Sequence, residues 1–207
     1  MLPGVVAEPH AMVKLGPDVE DGETDAYSGY LATGKVWGFS MMHESGTGGA
    51  PKYGVVNQMP ATGNISNPLL DLGQERRAND SAEVGYYKAQ LNNGIDIEVA
   101  ATAHAGMYQY SFAGGDNHVV VDVSHVLPSF RGLGWGQGYA GGGFELTEDG
   151  YIGSGIYNNG WNIAPGKQPR GDSHLSPWLT IHETGQSTSA DILIKLSRIK
   201  RPSLGTT

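Results

Sequence analysis

The clearest alternation of hydrophobic and polar positions lies in the middle of the chain. Residues 86–91 and 95–100 alternate on either side of Asn93-Gly94, a dipeptide that favours a type I′ turn, so they predict a β-hairpin. Residues 107–112 alternate again, and the more continuously apolar 118–123 is typical of a buried strand. Together these segments predict a meander of four strands.

The flanking regions also favour strands over helices. Residues 1–63 are rich in turn residues, with room for short strands at 12–15 and 55–59, and further strands are predicted at 141–146 and 151–157. The best helix candidate is the segment 189–199, within a tail of different composition. The acidic cluster at 18–25 reads as a solvated loop that could offer oxygen ligands to a cation. The fold class expected is all-β, with glycine-rich loops.

Composition narrows the function classes. The chain has 207 residues, 32 glycines, no cysteine and a net charge of −8, so disulfides and thiolate metal sites are excluded. A basic stripe for nucleic acid is missing before the last dozen residues. No window reaches the ~20 apolar residues of a membrane span. Neither nucleic acid nor a membrane is therefore expected as a partner, and no signal peptide is visible.

The glycine-rich stretch 38–49 concentrates candidate chemistry in the order GFSMMHESGTGG. Glycine lets a ligand approach the backbone closely, and polar loop residues commonly form sites on a β scaffold. His43 could contact a ligand or cap the loop, and Ser45 to Thr47 could donate to a hydroxyl or close the loop by local hydrogen bonds.

Several motifs, in order and spacing over about residues 1–160, resemble the N-terminal domain of glycoside hydrolase family 92, in a form similar to its fungal branch. They are Pro3-Gly4-Val5, 9–18 (PHAMVKLGPD), Ser28-Gly29-Tyr30, 38–48 (GFSMMHESGTG), Gly85-Tyr86-Tyr87, 101–112 (ATAHAGMYQYSF) and 121–125 (VDVSH). The resemblance implies a β-sandwich of the supersandwich, galactose mutarotase type. It also implies part of a calcium-dependent exo-α-mannosidase that inverts the anomeric carbon and acts on terminal α-mannosides of glycans.

The resemblance places the general acid, the general base and most calcium ligands in a C-terminal α/α toroid for which this chain has no room. We therefore expect a domain at 1–182, incomplete at both ends, a non-matching tail at 183–207, and no catalytic activity in this chain alone. Family members are commonly secreted.

Substrate contact is the role expected of the polar and aromatic residues around the glycine-rich stretch. The predicted substrate-binding residues are Tyr27, Tyr30, Ser40, His43, Glu44, Ser45, Gly46 and Thr47. Trp37 could also stack on a sugar face, whereas Phe39 is assigned to the core.

The remaining carboxylates favour structural roles. Glu98 alternates with apolar neighbours and is predicted to face water, Asp122 is predicted to be a buried hydrogen-bond partner, and Glu145 is a weaker candidate. The residues alone leave open two alternatives to the mannosidase domain. One is a stand-alone carbohydrate-binding module, and the other is a non-functional fragment.

Overall fold

The described part of the chain consists of β-strands and their connections. The computed structural model describes residues 11, 13–20, 29–43, 54–68, 72–127, 138–147, 150–158, 179–182 and 190–195. The strands are β1 Gly16–Glu20, β2 Lys35–His43, β3 Gly54–Thr62, β4 Ser81–Glu83, β5 Tyr86–Gln90, β6 Asp96–Ala101, β7 Gly106–Ser111, β8 Asn117–Val126, β9 Gly138–Thr147, β10 Gly150–Asn158, β11 Leu179–His182 and β12 Ala190–Lys195. Among these residues no helix is long and apolar enough to span a membrane.

Three sheets share these strands. A five-stranded sheet has the order β1-β2-β3-β8-β12, a four-stranded sheet the order β4-β5-β6-β7, and a three-stranded sheet the order β11-β10-β9. The main core contains Phe39 and Met59 from the five-stranded sheet and Tyr87, Ile97 and other alternating residues from the four-stranded sheet. The two sheets therefore form the all-β sandwich that the family resemblance implies.

Hydrogen bonds join all three sheets at Gln58 on β3. The Tyr110 hydroxyl on β7 donates to Gln58 Oε1 at 2.9 Å, and Gln58 Nε2 donates to the Tyr151 hydroxyl on β10 at 2.7 Å. Gln58 is buried at 5% exposure. Because both ends of its amide are paired, Gln58 can lie in the interior without an unsatisfied polar group.

The predicted hairpin is confirmed. Strands β5 and β6 pair in antiparallel register, Tyr86 opposite Ala100 and Gln90 opposite Asp96. The turn itself differs from the predicted type I′, because Asn93 does not have the positive φ that a type I′ turn requires. Residues 92–94 instead form a three-residue loop that ends in the left-handed Gly94, at φ +87°, and Leu91 and Ile95 close it by a backbone hydrogen bond of 2.9 Å.

The predicted four-strand meander is wrong in its last strand. Strand β8 leaves the four-stranded sheet and pairs antiparallel with β3, with Asn57 opposite Asp122. Residues 119–123 of β8 are all buried. A strand buried on both faces needs neighbours on both edges, which β3 and β12 supply.

Two other local predictions are also wrong. Residues 190–195, in the segment favoured as a helix, form strand β12 parallel to β8; the consecutive Ile192, Leu193 and Ile194 do not follow helical spacing. The glycine-rich stretch is strand through His43, not loop, because Phe39 and Met41 are buried in the core.

Near the N-terminus the observed strands differ less from the predicted ones. In the segment predicted as a strand at 12–15, Lys14 makes an isolated bridge to Met42, and the strand β1 itself begins at Gly16. The long strands β2 and β3 give regular structure to part of the region 1–63 that read as irregular.

Candidate functional site

A buried carboxylate on β1, Asp18, is the centre of a polar cluster that joins four strands. Its Oδ1 accepts a hydrogen bond from His43 Nε2 at 2.7 Å, and its Oδ2 accepts one from His125 Nε2 at 2.8 Å. The Ser40 hydroxyl and Asn57 Nδ2 (3.3 Å) also donate to Oδ2. We call these five residues the Asp18 cluster.

The electrostatics of the cluster favour the ionised form of Asp18. Burial by itself raises the pKa of this carboxyl, but the charges and hydrogen bonds of His43 and His125 outweigh burial and hold the pKa well below its ordinary value. The side chain of Asp18 is 2% exposed. Its charge is therefore kept in the interior by paired donors, the arrangement that a buried charge needs.

His43 is fixed on both sides of its ring. Its side chain is fully buried, and Nδ1 lies 3.0 Å from the Lys14 carbonyl oxygen while Nε2 faces Asp18. Gly29, at φ +88°, packs directly against this pair, since a Cβ there would lie 2.8 Å from His43 Nε2 and 2.9 Å from Asp18 Oδ1. The backbone at Gly29 can come this close because glycine lacks a side chain.

A cleft of about 250 Å³ opens beside the Asp18 cluster. Asn57 and His125 belong to both the cluster and the cleft wall, and Asp122 lies next to Asn57 in the sheet register. The cleft is lined by Glu20, Trp37, Asn57, Pro68, Leu72, Val120, Asp122 and His125. The cleft lining therefore combines polar side chains with an indole and aliphatic groups.

Asp122 is held in one orientation at this cleft. It is 6% exposed, and its Oδ1 accepts hydrogen bonds from the Ser124 backbone N–H at 2.9 Å and the Ser124 hydroxyl at 2.6 Å. The sequence prediction of a buried hydrogen-bond partner is confirmed. Glu98, predicted to face water, is a partly exposed member of an ion pair with Lys88 at 2.8 Å.

The structure describes three of the predicted substrate-binding residues. Ser40 and His43 come together on Asp18 in the interior, at 0% and 4% exposure. Tyr30 is half-buried, with the Arg76 guanidinium 5.6 Å from its ring centroid. The others, Tyr27, Glu44, Ser45, Gly46 and Thr47, lie outside the described residues. Substrate contact by this set stays a prediction.

The solvated loop expected at 18–25 is wrong at Asp18, while residues 21–28 lie outside the described ranges. Asp18 is buried because His43 and His125, which lie 25 and 107 positions away in the sequence, supply its partners. Sequence reasoning also missed Asn57 and His125 as members of one site. His125 ends the family motif at 121–125, but only the pairing of β3 with β8 brings it to Asn57.

Among the described residues no group of three or more histidine, aspartate or glutamate side chains is arranged to hold a metal ion. The calcium dependence implied by the family resemblance stays a prediction.

Comparison with known families identifies the architecture. A family profile described as the glycosyl hydrolase family 92 N-terminal domain matches residues 1–173. The chain belongs to this family. An uncharacterized secreted glycosidase of Arthroderma benhamiae is 37% identical to this family 92 domain over 114 residues, which is 50% of this chain and 14% of the fungal protein.

Solved structures share the fold of this family 92 domain. A family 92 α-mannosidase from Bacteroides thetaiotaomicron matches 76% of this chain with a TM-score of 0.61 and 22% identity. An inverting family 92 mannosidase from Bacteroides thetaiotaomicron VPI-5482 matches 78% with a TM-score of 0.54 and 20% identity. The chain covers 22% and 20% of those two proteins, so it spans less than a quarter of each.

Proposed function

We propose that this chain is the N-terminal domain of an α-mannosidase that removes terminal α-linked mannose from glycans with inversion at the anomeric carbon. The observation that carries the proposal is the family 92 match over residues 1–173, supported by the shared fold with two mannosidases. In this proposal the domain contributes substrate-binding residues and the complete enzyme depends on calcium.

The described carboxylates suit binding rather than acid–base chemistry. Inverting hydrolysis needs a protonated acid and an ionised base roughly 6.5–9.5 Å apart, with water between the base and the sugar. Asp18 is ionised and fully engaged by its cluster, and Asp122 Oδ1 is held by Ser124. Glu98 is paired with Lys88. The proposal therefore assigns the acid, the base and most of the calcium ligands to an α/α toroid domain of the complete enzyme.

A stand-alone carbohydrate-binding module is the second candidate function. The observation that favours it is the cleft beside the Asp18 cluster, which combines an indole with fixed polar groups. Aromatic faces with nearby hydrogen-bonding groups are the usual components of ligand sites. Both candidates require a mannose-containing ligand, and they differ in whether a second domain is needed for function.

The test is a calorimetric titration of the purified chain with mannobiose and a high-mannose glycan, with and without calcium. We expect saturable binding that Glu44→Ala weakens. Glu98→Ala serves as the matched control, because it removes the same carboxylate from an ion pair on the four-stranded sheet. Binding of cellobiose as strongly as mannobiose, or loss of binding in both variants alike, would contradict the proposal.

A further inference from the structure

The cleft beside the Asp18 cluster has the size of a small binding site. Its volume of about 250 Å³ lies just under the roughly 300–1,000 Å³ typical of sites for drug-sized ligands. The space thus suits a ligand of about one ring. Its lining offers both hydrophobic contact and hydrogen-bonding groups, which suits a ligand with an apolar face and several hydroxyls.

Three polar side chains of the cleft lining are held in place by hydrogen bonds within the domain. Asp122 is oriented by its two bonds from Ser124, and Asn57 and His125 are both held by Asp18. Since Asp18 accepts the Nε2 proton of His125, Nδ1 is the remaining polar atom of that ring. Fixed donors and acceptors bind a ligand without the cost of ordering them.

Trp37 supplies the aromatic part of the cleft lining. Its ring packs against the backbone of Gly73, where a Cβ would lie 2.9 Å from both Cε2 and Cζ2. Gln74 and Val36 exchange backbone hydrogen bonds at 2.8 and 2.9 Å, which ties this segment to β2 next to Trp37. The indole is thus held rigidly at the cleft wall, and a flat aromatic surface of this kind stacks on the apolar face of a ring.

We propose that this cleft binds a single pyranose ring, stacked on Trp37 and hydrogen-bonded through its hydroxyls to Asp122, Asn57 and His125, with Glu20 at the exposed rim. The sequence already indicated Trp37 as a possible stacking residue, whereas Asp122, Asn57, His125 and Glu20 lie outside the predicted substrate-binding set. Mannose as first probe rests on the proposed function, whereas the location of the site rests on the cleft geometry. Carboxylates accept hydroxyl protons in short, charge-assisted hydrogen bonds.

The experiment titrates the full chain with mannose, methyl α-mannoside and glucose, and follows heat and tryptophan emission. Asp122→Asn is expected to weaken binding at least about tenfold, since a hydrogen bond to a charged group is lost. Asp116→Asn is its matched control, because it makes the same change at an exposed turn. Trp37→Phe is expected to abolish the ligand-dependent change in emission.

If Asp122→Asn fails to fold, Glu20→Gln still tests the site, because Glu20 is exposed at the end of β1 and its substitution should not disturb the fold. It is expected to weaken binding severalfold, with an unchanged melting temperature.

The inference is overturned if mannobiose binds the chain while all three cleft variants bind it normally; the proposed function would then stand. Binding of glucose through the same cleft with no binding of mannose would support the site and contradict the mannosidase assignment. If no sugar binds, the inference is overturned. The proposed function is tested separately, by the mannobiose titration that compares the wild type with Glu44→Ala.

Discussion

Asp18 is the residue on which the interior of the five-stranded sheet depends. A buried carboxylate is costly unless it is paired, and here two histidines, a serine and an asparagine from three other strands complete its hydrogen bonds. Removal of one member leaves its partners unsatisfied in the interior. Substitution of Asp18 should therefore lower the free energy of unfolding far more than substitution of an exposed carboxylate.

Replacement of Asp18 by Asn tests this dependence. We expect Asp18→Asn to lower the free energy of unfolding by about 3 kcal/mol, because breaking a buried ion pair leaves uncompensated polar groups. Urea denaturation measures the change. Glu98→Gln, at the partly exposed pair with Lys88, is the control and should leave the midpoint almost unchanged. Equal midpoints for Asp18→Asn and the wild type would contradict the role of the cluster.

The lowered pKa of Asp18 predicts a pH dependence. Its folded pKa lies below the unfolded value of about 3.9, so the unfolded chain binds more protons between the two values. The contribution of Asp18 to stability is present above about pH 4 and is lost progressively as the pH falls below it. Urea midpoints measured from pH 7 to acid should converge for wild type and Asp18→Asn; curves that stay parallel would refute the assignment.

Substitution of Gly29 tests whether the close contact of its backbone with Asp18 and His43 matters for stability. Gly29→Ala combines an unfavourable positive φ with a steric overlap, whereas Gly63→Ala, at φ +78° with nothing within 4 Å of the added Cβ, carries only the backbone cost. We expect about 1 kcal/mol for Gly63→Ala. Gly29→Ala should cost a further ~1–3 kcal/mol from overpacking. Thermal denaturation compares the two, and similar losses would show that the contact is unimportant.

At the scale of elements, β3 and β8 decide which residues meet. Their antiparallel register sets Asn57 opposite Asp122 and carries His125 to the Asp18 cluster. A bulge on β3 lies between Val55 and Asn57, and Val56 has φ +54°. Positive φ is unfavourable for a β-branched residue, so the surrounding pairing holds this strained conformation beside the cluster.

The hydrogen bonds of Gln58, which connect the three sheets, lead to a prediction about stability. Tyr110→Phe removes the donor to Gln58 Oε1 and leaves a buried acceptor without that bond, which we expect to cost about 1–2 kcal/mol. Tyr86→Phe on strand β5 is the control, because its hydroxyl is bonded to the partly exposed Glu98, and it should change little. The measurement is urea denaturation. An unchanged midpoint for Tyr110→Phe would show that the sheets are held by apolar packing alone.

For the whole molecule, the proposed division of labour between two domains predicts binding without turnover. The purified chain should release no mannose from 4-nitrophenyl α-mannoside, with or without calcium, because the acid and base are assigned to the toroid. A complete family 92 mannosidase supplies the positive control. Calcium-dependent release by this chain, lost in Glu44→Gln, would show that the catalytic groups lie within it.

The sequence by itself determined the local elements and the family. The alternation at 86–101 and the Asn93-Gly94 turn predicted the hairpin, since side-chain period and turn chemistry are properties of neighbouring residues. The ordered motifs from Pro3 to His125 identified family 92, as the match over residues 1–173 confirms. The buried position of Asp122 also followed from its apolar neighbours.

Only the tertiary structure decided the sheet partner of β8, the strand conformation at 190–195 and the burial of Asp18, Ser40 and His43. Each depends on groups distant in sequence. Asp18 read as a solvated acid because its stabilising histidines lie 25 and 107 positions away, and the cleft with Trp37, Asn57 and His125 exists only when β1, β2, β3 and β8 lie side by side. Local patterns fix strands and turns, whereas the long-range pairing of strands creates the site.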